Sequence, residues 1–130
     1  AVLNYMHRQF SNDIFSYAYN EELNTEEKLR RMGELTYAIL VDAEEGQIMG
    51  NIGVETARVI PEFSELIQAF FDEWIAALTH VFKAKYSAEH AREVAEQVVA
   101  EIEGAVMMMR IYNDPRYLVD AFKRVLKRIN

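Results

Sequence analysis

The segment PEFSELIQAFFDEWIAALTHVF, residues 61–82, has the most informative helical pattern in the chain. Its apolar residues recur three and four positions apart, which is the spacing of one face of an α-helix. Pro61 suits the first position of a helix, where its missing N–H is not needed. The pattern predicts a long helix that begins at Pro61 and runs through the middle of the domain. The apolar face is unusually wide and consists of Phe63, Leu66, Ile67, Phe70, Phe71, Trp74, Ile75, Leu78, Val81 and Phe82.

A second long helix is predicted directly after the first. Ser87 is a suitable N-cap, and the helix then runs from Ala88 to Tyr112, about 37 Å at 1.5 Å per residue. Because a helix that is apolar on more than one side must bury more than one side, we expect a second subunit to cover part of it. Its apolar residues are Val94, Ala95, Val98, Val99, Ile102, Ala105, Val106, Met109 and Tyr112.

Weaker signals predict the other helices. No segment alternates with period two for long enough to predict a strand. The chain is therefore predicted to be a single all-α domain of about six helices over residues 1–130. The signals are an amphipathic pattern in residues 1–19, a capping box of Asn24 and Glu27, a glycine-rich turn in residues 46–53 before a short helix near 54–59, and Asp114-Pro115 before the last helix.

Composition excludes several classes of protein. The chain has no cysteine, which rules out disulfides, thiolate metal sites and a cysteine nucleophile. No apolar run approaches the ~20 residues that a spanning helix needs, and no secretion signal is visible, so we expect a cytoplasmic protein without a membrane segment. The net charge of −7 would repel a phosphate backbone, so this chain alone is not expected to bind nucleic acid.

The titratable residues show no catalytic constellation. The histidines His7, His80 and His90 lack the spacing of a metal pair. The carboxylate pair Asp72-Glu73 has no base partner, and no serine lies in a nucleophile elbow. We therefore predict no enzymatic activity, no metal and no cofactor.

Three segments, in order, resemble the C-terminal domain of the tetracycline-repressor (TetR) family. They are GQIMGNI in residues 46–52, Pro61-Glu62 followed by FFDEW in residues 70–74, and EGA in residues 103–105 followed by Arg110, Asp114-Pro115 and Leu118. The opening AVLNYM is similar to the helix that leaves the DNA-binding module in that family.

The resemblance implies a homodimeric, cytoplasmic transcriptional regulator. Its helix-turn-helix is absent from this chain, so operator DNA would be contacted only through that further N-terminal domain. The helical domain would bind a small apolar or amphipathic effector and, in a repressor, release the operator. The alternative is a stand-alone dimeric helical module that binds a partner or a small molecule without any role linked to DNA.

Candidate ligand-binding residues follow from the aromatic set, because binding pockets are largely apolar with a few polar groups. For each aromatic residue an ordinary core position is the alternative, and for His80 the alternative is a surface or hydrogen-bonded core histidine. The candidates are Phe10, Tyr37, Phe70, Trp74 and His80, with Gln47 and Asn51 at the mouth.

Candidate dimer residues follow from Gly104, since a glycine inside a helix costs about 1 kcal/mol relative to alanine. Close approach of a partner helix would explain it, and close packing within one subunit is the alternative. The last two helices of each subunit would form a four-helix bundle. The candidates are Val98, Ala100, Gly104, Ala105, Met108, Leu118, Phe122 and Val125.

A basic stripe near the C-terminus has two interpretations. Lys123, Arg124, Lys127 and Arg128 recur at helical spacing. A phosphate-binding surface is one interpretation, but cations are favoured at a helix C-terminus in any case. We therefore expect a solvated face.

Overall fold

The computed structural model describes residues 10–41 and 61–129, and all regular structure in these two ranges is helical. The prediction of an all-α fold is confirmed, with five α-helices described where about six were expected. The predicted turn in residues 46–53 and the short helix near 54–59 lie outside the described residues. The elements are a π-helical turn at Phe10–Phe15, α1 at Ser16–Ala18, α2 at Thr25–Val41, α3 at Pro61–Phe82, α4 at Ala88–Tyr112 and α5 at Arg116–Lys127.

Helices α2 and α4 begin at the N-cap residues that the sequence predicts, Asn24 and Ser87. The Glu27 backbone N–H donates to Asn24 Oδ1 at 2.8 Å, which satisfies one of the free donors of α2. The His90 backbone N–H donates to Ser87 Oγ at 3.3 Å at the start of α4. Both long helices have the bounds that their sequence patterns predict.

The α4–α5 junction is a tight turn built on a left-handed residue. Asn113 has φ 50° and ψ 47°, a conformation that asparagine tolerates better than most residues. The Asp114 N–H reaches back to the Met109 carbonyl at 3.0 Å. Asp114 Oδ1 then accepts the Arg116 backbone N–H at 2.9 Å, so α5 begins one residue after Pro115.

The core lies where α4 packs between α3 and α5, the two most extensive helix contacts among the described residues. Phe82, Val98 and Leu118, one from each helix, are fully buried there. The Tyr86 hydroxyl donates to the Arg128 carbonyl at 2.5 Å and so fastens the end of α5 to the α3–α4 turn.

The N-terminal helical segment, residues 10–18, packs against α2 and α3. Ile14, Phe15 and Ala18 are buried there. The predicted helix over residues 1–19 is therefore found in its second half, as a π-helical turn followed by α1, and residues 1–9 lie outside the description.

Candidate effector and dimer surfaces

An aromatic cluster joins the N-terminal segment to α3. It consists of Phe15, Phe70, Phe71 and Trp74, with ring centroids 5.8 Å apart for Phe15–Phe70 and 6.0 Å for Phe70–Trp74. Phe71 lies 5.9 Å from Trp74. These separations are typical of interacting aromatic rings. Trp74 is only 3% exposed, so the cluster is part of the core and contacts the N-terminal segment through Phe15.

A groove of about 320 Å³ runs between α2 and α5. Its floor and sides are mostly apolar, and charged side chains lie along its rim. We call it the α2–α5 groove. It is lined by Leu29, Arg30, Gly33, Glu34, Tyr37, Val119, Phe122, Lys123, Val125 and Leu126.

A polar contact links the α1–α2 connection to α3. Glu21 Oε1 lies 2.7 Å from His80 Nε2, and Glu21 Oε2 lies 3.4 Å from Lys28 Nζ. The Tyr19 and His80 rings contact each other in a tilted arrangement, with centroids 4.9 Å apart and an interplanar angle of 36°. The hydrogen bond from His80, followed by the positive charge of Lys28, lowers the pKa of the Glu21 carboxyl. Burial, with the nearby Glu73 carboxylate, raises the pKa of Tyr19.

Among the predicted ligand residues whose side chains the structure describes, two come together. Phe70 and Trp74 meet in the aromatic cluster. Tyr37 instead lines the α2–α5 groove, and His80 contacts Glu21 and Tyr19. Gln47, Asn51 and the side chain of Phe10 lie outside the described residues. The ligand-binding role of all seven stays a prediction.

The solvent-facing side of α4 carries an apolar stripe that the described chain leaves uncovered. Met107 is 60% exposed, Met108 38% and Ile111 66%, and Ala100 and Gly104 are exposed as well. We call these five residues the outer face of α4. A Cβ added at Gly104 would meet no atom within 4 Å, so packing within the described chain gives no reason for a glycine there.

Half of the predicted dimer residues are buried within the single chain. Val98 and Leu118 have no exposed surface, and Ala105 and Val125 are 7% and 5% exposed. The Phe122 ring faces α2, where a Cβ added at Gly33 would lie 3.6 Å from it. The interface role of these five residues stays a prediction.

The remaining dimer candidates, Ala100, Gly104 and Met108, do lie on the surface. Met107 and Ile111 extend the same surface and were not among the predicted residues. Their positions three and seven after Gly104 are the signal that would have found them, because such residues share a helix face.

Two of the four residues of the C-terminal basic stripe form ion pairs with α4. Arg124 Nε lies 2.8 Å from Glu101 Oε1, and Arg128 lies 3.7 Å from the same carboxylate. Lys123 and Lys127 are exposed. Arg124 and Arg128 therefore join α5 to α4, whereas the exposed Lys123 and Lys127 agree with the expected solvated face.

Two other kinds of feature are absent from the described residues. No group of three or more side chains there is arranged to hold a metal ion. Among the helices of residues 10–41 and 61–129, none has the length and apolar character needed to cross a membrane.

Comparison with known families agrees with the helical architecture. A family model described as the C-terminal domain of LmrA/YxaF-like transcriptional regulators matches residues 21–124, which is most of the chain. The chain therefore belongs to the C-terminal domains of TetR-family transcriptional regulators. Neither the comparison with curated proteins nor that with solved structures gives a match.

Proposed function

We propose that this domain forms a homodimer through the outer face of α4, and that effector binding makes the regulator to which it belongs release operator DNA. Membership of the TetR family supports the general role of effector binding and dimerisation. The observation that carries the dimer surface is the empty space beside Gly104.

Gly104 lowers the stability of α4, and no packing contact within the described chain compensates for this loss. A glycine in a helix interior costs about 1 kcal/mol relative to alanine, and nothing within 4 Å of Gly104 would obstruct a side chain. Close approach of another helix explains the residue, because only a small side chain lets two helix backbones come near each other. Exposed Met107 and Ile111 would then be covered by the partner, which removes apolar surface from water.

The proposed effector is small and apolar or amphipathic and acts at the aromatic cluster. Phe15 belongs to the N-terminal segment, whereas Phe70 and Trp74 belong to α3. An effector inserted between them would displace the N-terminal segment, which in the intact regulator would lead to the DNA-binding domain. An effector favours the DNA-free state only through differential affinity, commonly about 1–3 kcal/mol in coupled systems.

The test is the dimer dissociation constant of Gly104→Leu, measured by sedimentation equilibrium. The single chain has room for leucine at this position, and leucine favours a helix, so the fold should be retained. We expect the dissociation constant to rise at least about tenfold, which is roughly 1.4 kcal/mol.

Arg92→Leu is the matched control. Arg92 is also exposed on α4, outside the outer face, and makes only a long 3.9 Å contact with Glu96. Its dissociation constant should equal that of the wild type. A folded Gly104→Leu variant that dimerises as tightly as Arg92→Leu would refute the proposed surface.

A further inference from the structure

We propose that the α2–α5 groove is a binding site for a small amphipathic anion, with an apolar body and one carboxylate. The site is distinct from the aromatic cluster and from the outer face of α4, since the groove is lined only by residues of α2 and α5. The inference goes beyond the proposed function and does not require the domain to dimerise.

The size and surface of the groove suit the apolar body. Its volume of about 320 Å³ falls within the usual range for ligand sites, roughly 300–1,000 Å³. Leu29 and Val125 are buried beneath it, and Tyr37, Phe122 and Leu126 are half-buried around it. A ligand would therefore contact apolar side chains from two helices that are far apart in the chain.

Gly33 keeps the groove open at its α2 wall. The position lies inside α2, where glycine is unfavourable for the helix. An added Cβ would lie 3.6 Å from the Phe122 ring, which is ordinary van der Waals contact, so packing does not demand glycine. A longer side chain would extend into the groove and occupy the space available to a ligand.

The charges at the rim select the polar end of the ligand. Arg30 is already paired with Glu26 at 2.8 Å. Lys123 is exposed and forms no ion pair within the described part of the chain, so its ammonium group is available to a carboxylate. Glu34 lies on the same rim and would repel an anion. The two residues should therefore affect anion binding in opposite directions.

The experiment is calorimetric titration of the 130-residue chain with sodium octanoate, and with octan-1-ol as the uncharged analogue. We expect octanoate to bind more tightly than octanol. Lys123→Gln should weaken octanoate binding by about two- to fivefold, the range for an exposed ion pair. Glu34→Gln should strengthen it by a similar factor, and neither change should affect octanol.

Lys127→Gln is the matched control for charge, because Lys127 is exposed on α5 but does not line the groove. It should bind octanoate as the wild type does. Gly33→Leu should abolish binding of both ligands, with far-UV circular dichroism confirming that the helices remain.

The outcomes separate this inference from the proposed function. Gly104→Leu, designed to weaken the dimer, should keep full octanoate affinity. The inference is overturned if octanoate does not bind, if folded Gly33→Leu binds it unchanged, or if octanol binds as tightly. It is also overturned if affinity falls as protein concentration rises, because a second copy of the chain would then occupy the groove.

Discussion

The two faces of α4 have similar apolar residues but opposite surroundings. On the inner face Ala95 and Val98 have no exposed surface, because α3 and α5 cover them. On the outer face Met107 and Ile111 are more than half exposed. The width of the apolar surface on a helix therefore indicates how much of it must be buried, whereas the packing of neighbouring helices determines which face is buried within the same chain.

A second contrast separates this apolar core from the connection between α1 and α2. There the contact with α3 is polar and exposed, since Glu21 bonds to His80 and to Lys28. Apolar burial contributes most of the stability of a domain, whereas exposed ion pairs contribute little. The effects of substitutions should therefore decrease from the inner face of α4, through its outer face, to the Glu21 contact.

The largest effect is expected where α5 covers the inner face of α4. Leu118 has no exposed surface, and Leu118→Ala should lower the free energy of unfolding by about 2–5 kcal/mol through lost burial and a residual cavity. Urea unfolding at low protein concentration, where the chain is monomeric, measures this change.

Ile111→Ala is the comparison on the outer face, where 66% of the side chain is exposed. In the monomer it should change the free energy of unfolding by less than about 0.5 kcal/mol. Equal losses at Leu118 and Ile111 would show that the two faces do not differ in the way that the structure describes.

An intermediate effect of opposite sign is expected at Gly104. Gly104→Ala should raise the free energy of unfolding of the monomer by up to about 1 kcal/mol, because alanine favours the helix and its methyl group meets no atom within 4 Å. The same variant should weaken the dimer, though less than leucine does, as measured by sedimentation equilibrium.

Gly33→Ala serves as the control for helix propensity on a different helix. It should also stabilise the monomer, since its methyl group would make only ordinary contact with Phe122. The dimer should be unaffected by it. If Gly104→Ala stabilises monomer and dimer equally, then close approach of a second helix does not explain the glycine.

Helix bounds could be predicted from sequence because their signals are local. A cap such as Asn24 or Ser87 acts on a backbone N–H three residues away, so the relevant partners are adjacent in the chain. Periodicity likewise reports which residues share a face of one helix. The all-α class and the extents of α3 and α4 follow from these signals alone.

The surfaces could be predicted only in part, because they depend on helices distant in sequence. Val98 and Ala105 lie roughly 100–120° around α4 from Gly104, at about 3.6 residues per turn, and α3 and α5 cover that side. The α2–α5 groove forms between two helices that α3 and α4 separate along the chain. The Glu21–His80 contact joins residues 59 apart and has no periodic signature.

The smallest effect is expected at Glu21, and it depends on pH. Its folded-state pKa is lowered from the ordinary value of 4.5, first by the His80 hydrogen bond and then by Lys28. The stabilisation is therefore present above about pH 4.5 and is lost as the pH falls through the lower folded pKa.

Glu21→Gln should have a lower melting temperature than the wild type at pH 6, and the difference between the two melting temperatures should decrease towards pH 3. Glu22→Gln, an exposed neighbour without an ion pair in the described chain, should show no such decrease. A difference for Glu21→Gln that stays constant from pH 6 to pH 3 would contradict a contribution from the ionised carboxylate. The contact with His80 would then act through packing of the Tyr19 and His80 rings instead.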